Sequence, residues 1–379
     1  MKICLTVNSS PWSRFKGGGQ LAVHHLACAF ARKGQEVHVV YSRTAGENPE
    51  VRVPYRIHWV RHFNCATLNL NIFSYARALE ILCPRHRFDI VHGNAEESFF
   101  ADRACEKSGA RFFFTSHAPF IPAQGPWCAL TSHPLQFLRQ INPHLLRRAA
   151  RQARRVITFS RFSRDLVVNA LGPGWEERVE VIPPGVDPAW LDLQRMQGDP
   201  TTAEILFWGR LEIEKGLFEL LQAMKEVALQ VPHSRLTLIG EGNQRQALEA
   251  EARRQGIASR VHFPGWLGEG EVQRLASTAR LAAFPSRIES FGLSVAEAMG
   301  AGVPVVAGRA GAIPEIVADG VTGTLVPPED PQALAAAIVA ALKHPEPALR
   351  MAETGRAAIR ERYSWDRAAD RLIELYRAE

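Results

Sequence analysis

No uninterrupted apolar run in this 379-residue chain approaches the roughly 18 residues that span a bilayer, and its opening, MKICLTVNSSPW, has no signal-peptide core. These absences speak against a membrane-spanning or exported protein, and a cytoplasmic one is expected. Cysteine is sparse. The six thiols, Cys4, Cys28, Cys65, Cys83, Cys105 and Cys128, all lie in the first 128 residues and form no CxxC pair. Neither a disulfide framework nor a cysteine metal site is therefore expected, and buried free thiols are. No motif interleaves aromatic with basic side chains, so nucleic acid is not an expected partner.

What is present fits a two-domain globular protein. Apolar residues make up 46% of the chain and charged residues 22%, which argues against disorder, and the length is enough for two cores. Short β-rich runs alternate with helical patterns: KICLTV, EVHVVY, RIHWVR, FDIVHG, RFFFTSH, RVITFS and VEVIPP, then EILFWG, RLTLIG, RVHFPG, LAAFPS, VPVVAG and TGTLVP. Such alternation predicts an α/β protein with parallel sheets covered on both faces, as two doubly wound, Rossmann-like domains facing across a cleft. Prolines and glycines cluster from Pro183 to Pro200, as in an interdomain linker. Ligands of such sheets bind outside the carboxyl ends of the strands.

The segment ESFGLSVAEAMGAGVPVVAG, Glu289 to Gly308, places Glu289 and Glu297 eight positions apart around a turn that opens a helix. Between them lie the backbone amides of Phe291, Gly292 and Leu293. Amides at a helix N-terminus, reinforced by the helix dipole, suit a phosphate, and a carboxylate on either side suits sugar hydroxyls. A glutamate pair alone is more often a solvated helix start. The full string is more specific. It resembles the donor segment of the retaining GT-B glycosyltransferases of family 4 (glycosyl transferases group 1), with Gly300 in place of a common alanine.

That resemblance extends over nearly the whole chain and implies further roles. In GRLEIEKG, beginning at Gly209, Arg210 and Lys215 match the family residues that bind the donor diphosphate and stabilise charge on the leaving group. Gly240 and Gly242, in LIGEGN, match a glycine turn beside the nucleotide. Phe263, Pro264, Gly265 and Trp266 match the strand end whose backbone reads the nucleobase. Glu297 matches the glutamate that takes the ribose hydroxyls, and Glu289 the one that holds the transferred sugar. His117, after the strand RFFF, matches an active-site histidine expected to orient or stabilise charge. Gly18 and Gly19, within GGGQ, follow the first strand and would let a backbone approach a phosphate or the acceptor; the third glycine and Gln20, where the family usually has an acidic residue, put local acceptor contacts in question. The domains implied are residues 1–185 plus 362–379, an acceptor-side domain with a returning C-terminal helix, and residues 186–361, which bind the donor.

The reaction implied is hexosyl transfer with retention from a UDP- or GDP-sugar to a glycan, lipid-linked or small-molecule hydroxyl. No Asp-x-Asp triplet occurs, so neither a metal nor another cofactor is expected, and cationic side chains with helix amides would do the metal's work. A nucleotide-sugar epimerase and a catalytically silent sugar-nucleotide binding protein remain alternatives. Charge is asymmetric: residues 1–185 hold 24 Lys and Arg against 13 Asp and Glu. Arg147, Arg148, Arg151, Arg154 and Arg155 recur at helical spacing. They predict a basic stripe that contacts an anionic membrane peripherally, at its inner face.

Overall fold

The computed structural model describes residues 1–13, 17–43, 51–62, 64–65, 68–69, 71–117, 141–196, 198–199 and 201–379. They form two compact units, Met1–Gly185 with Trp365–Glu379, and Val186–Ser364. Cys128 lies outside the described residues.

The first unit runs β1 (Lys2–Val7), α1 (Gly18–Arg32), β2 (Glu36–Arg43), β3 (Arg56–Arg61), the ribbon β4 (Asn64–Cys65) and β5 (Leu68–Asn69), α2 (Asn71–His86), β6 (Ile90–Gly93), α3 (Ala101–Ser108), β7 (Arg111–Thr115), α4 (Ile141–Gln152), β8 (Val156–Thr158), α5 (Arg161–Leu171) and β9 (Val179–Val181). Seven strands form a parallel sheet in the order β3-β2-β1-β6-β7-β8-β9. Successive residues of a strand point to opposite faces, and here both faces are apolar because both are covered. Ile3, Leu5, Val39, Tyr41 and Phe113 belong to one core. Cys4, Val40, Val91, Phe112 and Phe114 belong to the other, with Leu79, Ala104, Ala149 and Val167 from α2, α3, α4 and α5. Burial raises the Cys4, Cys83 and Cys105 thiols well above the usual range, so they stay protonated in the core.

The second unit runs α6 (Pro188–Leu191), β10 (Ala203–Trp208), α7 (Leu217–Gln230), β11 (Ser234–Ile239), α8 (Arg245–Arg254), β12 (Val261–Gly265), α9 (Glu269–Thr278), β13 (Leu281–Phe284), α10 (Leu293–Gly300), β14 (Val305–Gly308), α11 (Ile313–Ile316), β15 (Thr324–Val326), α12 (Pro331–Lys343) and α13 (Pro345–Arg362). Its parallel sheet has the order β12-β11-β10-β13-β14-β15. The last helix, α14 (Trp365–Ala378), returns to the first unit. There Trp365, Ala369, Leu372 and Tyr376 complete the core on the α1 side. Tyr363, just before it, stays with the second unit, its hydroxyl donating to the Glu315 carbonyl at 3.2 Å. In each sheet the order reverses beside the first strand, between β1 and β6 and between β10 and β13. Those reversals are the topological switch points where a doubly wound sheet opens a crevice.

The structure refines one sequence expectation and corrects another. The boundary between the units falls inside the Pro183–Pro200 segment, after Gly185, but the linker is shorter than that segment, because α6 within it is packed into the second unit. Trp190 is 2% exposed, stacks on Trp208 with centroids 5.4 Å apart, and donates to Glu269 at 3.1 Å. The basic stripe is also shorter than its spacing implied. Helix α4 ends at Gln152, so Arg154 and Arg155 lie past it. Arg154 donates to the Glu379 carbonyl at 3.0 Å, and Arg155 pairs with the Glu379 carboxylate at 2.5 Å. Both arginines tie the chain terminus to the sheet. No helix among the described residues is long and apolar enough to cross a membrane.

Candidate active site

Apart from the arginines on and after α4, the residues singled out from the sequence fall into two groups, one at the carboxyl ends of the strands of each unit. In the second unit the loop after β10 carries Gly209, Arg210 and Lys215, and the loop after β13 carries Glu289, Phe291 and Gly292. The two loops meet through an ion pair: Lys215 Nζ lies 2.6 Å from Glu289 Oε1. Ser286 Oγ donates to the same oxygen at 2.9 Å. Both side chains of the pair are largely withdrawn from water, at 17% and 16% exposure, which holds them in one geometry. Arg210 is 65% exposed and pairs with Glu214 at 3.2 Å. An exposed pair of this kind contributes little stability, so the guanidinium can exchange Glu214 for a stronger anion at small cost.

Gly292 caps α10 at φ 95°, left-handed backbone that a side chain would strain. It offers no capping side chain of its own, so an acceptor from outside the helix can approach the amides of its first turn. Phe291 is turned inward. It is 5% exposed and packs edge-on against Tyr363 at 5.5 Å, so any contact with a ligand is through its backbone. Leu293 opens the helix and Glu297 sits in its second turn. Trp208 donates to Glu297 Oε2 at 2.8 Å. Desolvation pushes this carboxyl up to about 8, with Glu269 and Asp187 adding to the rise and the Trp208 hydrogen bond opposing it.

At Gly240 and Gly242 the β11 turn crosses the β10 loop so closely that a Cβ would collide with the carbonyls of Gly209 and Leu211 respectively. The turn thus braces the loop bearing Arg210. Near β12, the Gly265 carbonyl accepts from the Gly240 amide at 2.8 Å, and the Phe263 carbonyl from Arg245 Nη2 at 3.0 Å. Internal partners therefore already take one acceptor position on each. Pro264 follows Phe263, and Trp266 is 45% exposed.

In the first unit, Gly17 is the N-cap of α1, and Gly18 and Gly19 form its first turn. Gln20 has a clear role: its Oε1 accepts from the Gly17 amide at 2.9 Å, and its Nε2 donates to the Asn8 carbonyl at 2.7 Å. A carboxylate could perform only the first of these. His117 lies against Gly19, whose added Cβ would fall 3.5 Å from Nδ1. Its ring meets Phe159 edge-on at 4.9 Å, and burial brings its pKa down to about 4.

Asn94 and Glu97 were not apparent in the sequence. Asn94 Nδ2 donates to the Thr6 carbonyl at 2.9 Å, so its Oδ1 is the atom that meets His117 Nε2 at 2.9 Å. His117 is therefore the Nε2–H tautomer, and Nδ1 is its acceptor face. The turn that carries Asn94 is held by Glu97, whose Oε1 accepts from Thr6 Oγ1 at 3.0 Å and from the Asn94 and Ala95 amides at 3.3 and 3.1 Å. Burial pushes Glu97 up to about 7.

Two family models match the chain in succession. One described as Glycosyltransferase Family 4 covers residues 16–190, and one described as Glycosyl transferases group 1 covers residues 193–358. Glycogen synthase of Mycobacterium tuberculosis is 33% identical over 60% of this chain and 55% of its own length. The chain thus spans about half the length of that relative. Sucrose-phosphate synthase from Thermosynechococcus elongatus is 22% identical, with a TM-score of 0.83 over 100% of this chain and 98% of that one. Anabaena HepE, solved in complex with UDP-glucose, is 21% identical, with a TM-score of 0.77 over 100% of both chains.

Proposed function

This chain belongs to the family 4, group 1 glycosyltransferases and has their two-domain GT-B fold, and from that premise we propose that it transfers a hexosyl group from a UDP- or GDP-sugar to an acceptor hydroxyl with retention. The observation that carries this reading is the Lys215–Glu289 pair, an ammonium and a carboxylate held together beside an uncapped helix start. A donor diphosphate competes for Lys215 and Arg210 and accepts from the amides that open α10. Glu289, released from Lys215, then accepts from hydroxyls of the transferred sugar. Glu297 faces the ribose diol. As the bond from the anomeric carbon to the phosphate oxygen breaks, its electron pair goes to the diphosphate, where the two cations and the helix amides offset the growing charge. The acceptor oxygen bonds to the same face of that carbon, and its proton passes to the departing phosphate oxygen. No protein base or metal enters this scheme.

The first unit takes the acceptor in this reading, with His117 Nδ1 accepting from a sugar hydroxyl as a neutral ring. The test is a panel of UDP- and GDP-sugars, assayed for thermal stabilisation and slow donor hydrolysis with and without EDTA. One donor should raise Tm and release its nucleoside diphosphate equally well in chelator. Arg210→Ala with Lys215→Ala should abolish that release in a protein that remains folded. Loss of turnover in EDTA, restored by magnesium or manganese, would overturn the metal-free scheme, and product formed from donor alone by inversion at a sugar carbon would identify an epimerase.

A further inference from the structure

Three histidines converge at the end of the first sheet opposite the switch point. His38 is the third residue of β2 and His58 the third of β3, so both lie near the amino ends of their strands. His86 closes α2. The ring of His38 stacks on His58 with centroids 5.0 Å apart and meets His86 edge-on at 4.5 Å. Phe88 lies against the His38 and His86 rings at 4.9 and 5.6 Å. One ring nitrogen from each histidine lies within 4.8 Å of the other two.

The proton positions follow from Glu36. Its Oε1 lies 3.2 Å from His38 Nε2. A carboxylate only accepts, so Nε2 of His38 carries the proton and Nδ1 presents a lone pair. That lone pair points at His58 Nε2, 2.8 Å away. Carboxylate, imidazole and a shared focus in line is the arrangement by which proteins orient a metal-ligating histidine.

We propose that His38, His58 and His86 bind one zinc-class transition-metal ion, with Glu36 as the positioning residue for His38. The ion takes the place of the proton that His58 Nε2 shares with His38, and His58 carries its proton on Nδ1 instead, so that all three ligands bind as neutral imidazoles. At Zn–N distances of about 2.0–2.1 Å, tetrahedral ligand nitrogens stand about 3.3 Å apart. The His38–His58 pair opens slightly to meet this value, and His86 offers its nitrogen from within 4.8 Å of both. The fourth position is open to water. The charged groups that face the cluster are Glu36, Lys2, Arg56 and Arg85. Three of them are cations, which oppose a dication, and the ligand set has no oxygen to offer calcium or magnesium. Imidazole nitrogens favour zinc, nickel, copper or cobalt instead. Bound there, the ion clips β2, β3 and α2 together. The site owes nothing to the sugar-transfer reading, since Gly18, Gly19 and His117 lie at the other ends of the strands.

The test uses the full chain without a histidine tag, stripped by chelator and titrated with zinc chloride or cobalt chloride. One equivalent of zinc should bind and raise Tm by about 5 °C, and cobalt should give the visible bands of a low-coordinate nitrogen site. His58→Ala and His86→Ala, both at partly exposed positions, should each remove the stoichiometric binding. Glu36→Gln should weaken it about 10- to 100-fold. Wild-type protein that takes up no cobalt with such a spectrum overturns the proposal, whatever the variants do. Binding that is unchanged in the His58→Ala, His86→Ala double variant overturns it equally.

Discussion

The two glutamates of the α10 region differ in what surrounds them, and their variants should differ in kind. Glu289 is the ion-pair partner of Lys215 in the loop after β13, whereas Glu297 is desolvated under Trp208 and raised to about 8. Near neutral pH Glu297 is therefore largely protonated before a ligand arrives. Glu289→Ala should lower kcat strongly, because it removes contacts made to the sugar undergoing transfer. Glu297→Ala should chiefly raise KM for the donor, by an amount equivalent to about 1–3 kcal/mol for a lost buried hydrogen-bond pair. Glu297→Gln, which keeps the neutral shape and the acceptor for Trp208, should lie close to wild type. Steady-state kinetics on the three variants checks this, and near-normal kcat in Glu289→Ala would remove Glu289 from the mechanism.

Among the elements, α6 is the one whose importance its composition hides. PAWL reads as linker punctuation, yet Trp190 backs Trp208, the residue that donates to Glu297. Arg356 and Arg360 fasten the same turn by donating to the Leu191 carbonyl at 2.6 and 2.5 Å. Trp190→Ala empties a site of near-complete burial and leaves Glu269 without its indole donor. It should destabilise the second unit by about 3–5 kcal/mol and loosen the Glu297 carboxyl with it. Urea unfolding followed by tryptophan emission measures the first effect. A loss under about 1 kcal/mol would mean that α6 is only draped on the unit.

For the whole molecule, charge separates the two units. Residues 1–185 carry 24 cations against 13 anions and residues 365–379 carry 3 against 4, so the first unit has a net charge of +10 and the second, residues 186–364, has −4. With Arg154 and Arg155 engaged at the terminus, the part of the stripe left on α4 is Arg147, Arg148 and Arg151, and Arg148 is itself 3.7 Å from Asp102. We propose that this narrower face contacts an anionic lipid surface, at roughly 1 kcal/mol per arginine in low salt. Sedimentation with anionic vesicles should exceed that with neutral ones. It should fall as salt rises and weaken in Arg147→Gln with Arg151→Gln. Wild-type protein indifferent to lipid charge would favour a dissolved acceptor.

What the sequence determined by itself is what is written at short range. Alternating apolar runs such as EVHVVY and VPVVAG specify strands buried on both faces, and ESFGLSVAEAMG carries both the family and the start of α10, because turn, cap and helix are built from neighbours. Contacts between distant residues were decided only by the folded sheets. His38, His58 and His86 lie 20 and 28 positions apart and meet because β2 pairs with β3 while α2 crosses the same face. Asn94 reaches His117 because β6 and β7 are adjacent, and Trp190 reaches Trp208 across a segment that reads as linker. The spacing of Arg147 to Arg155 suggested one helix face, but the helix stops at Gln152 and its last two arginines bind the C-terminus. Periodicity describes a residue's own element. Which side chain stands across from it depends on strand order and register, and those are set by the packing of the whole sheet.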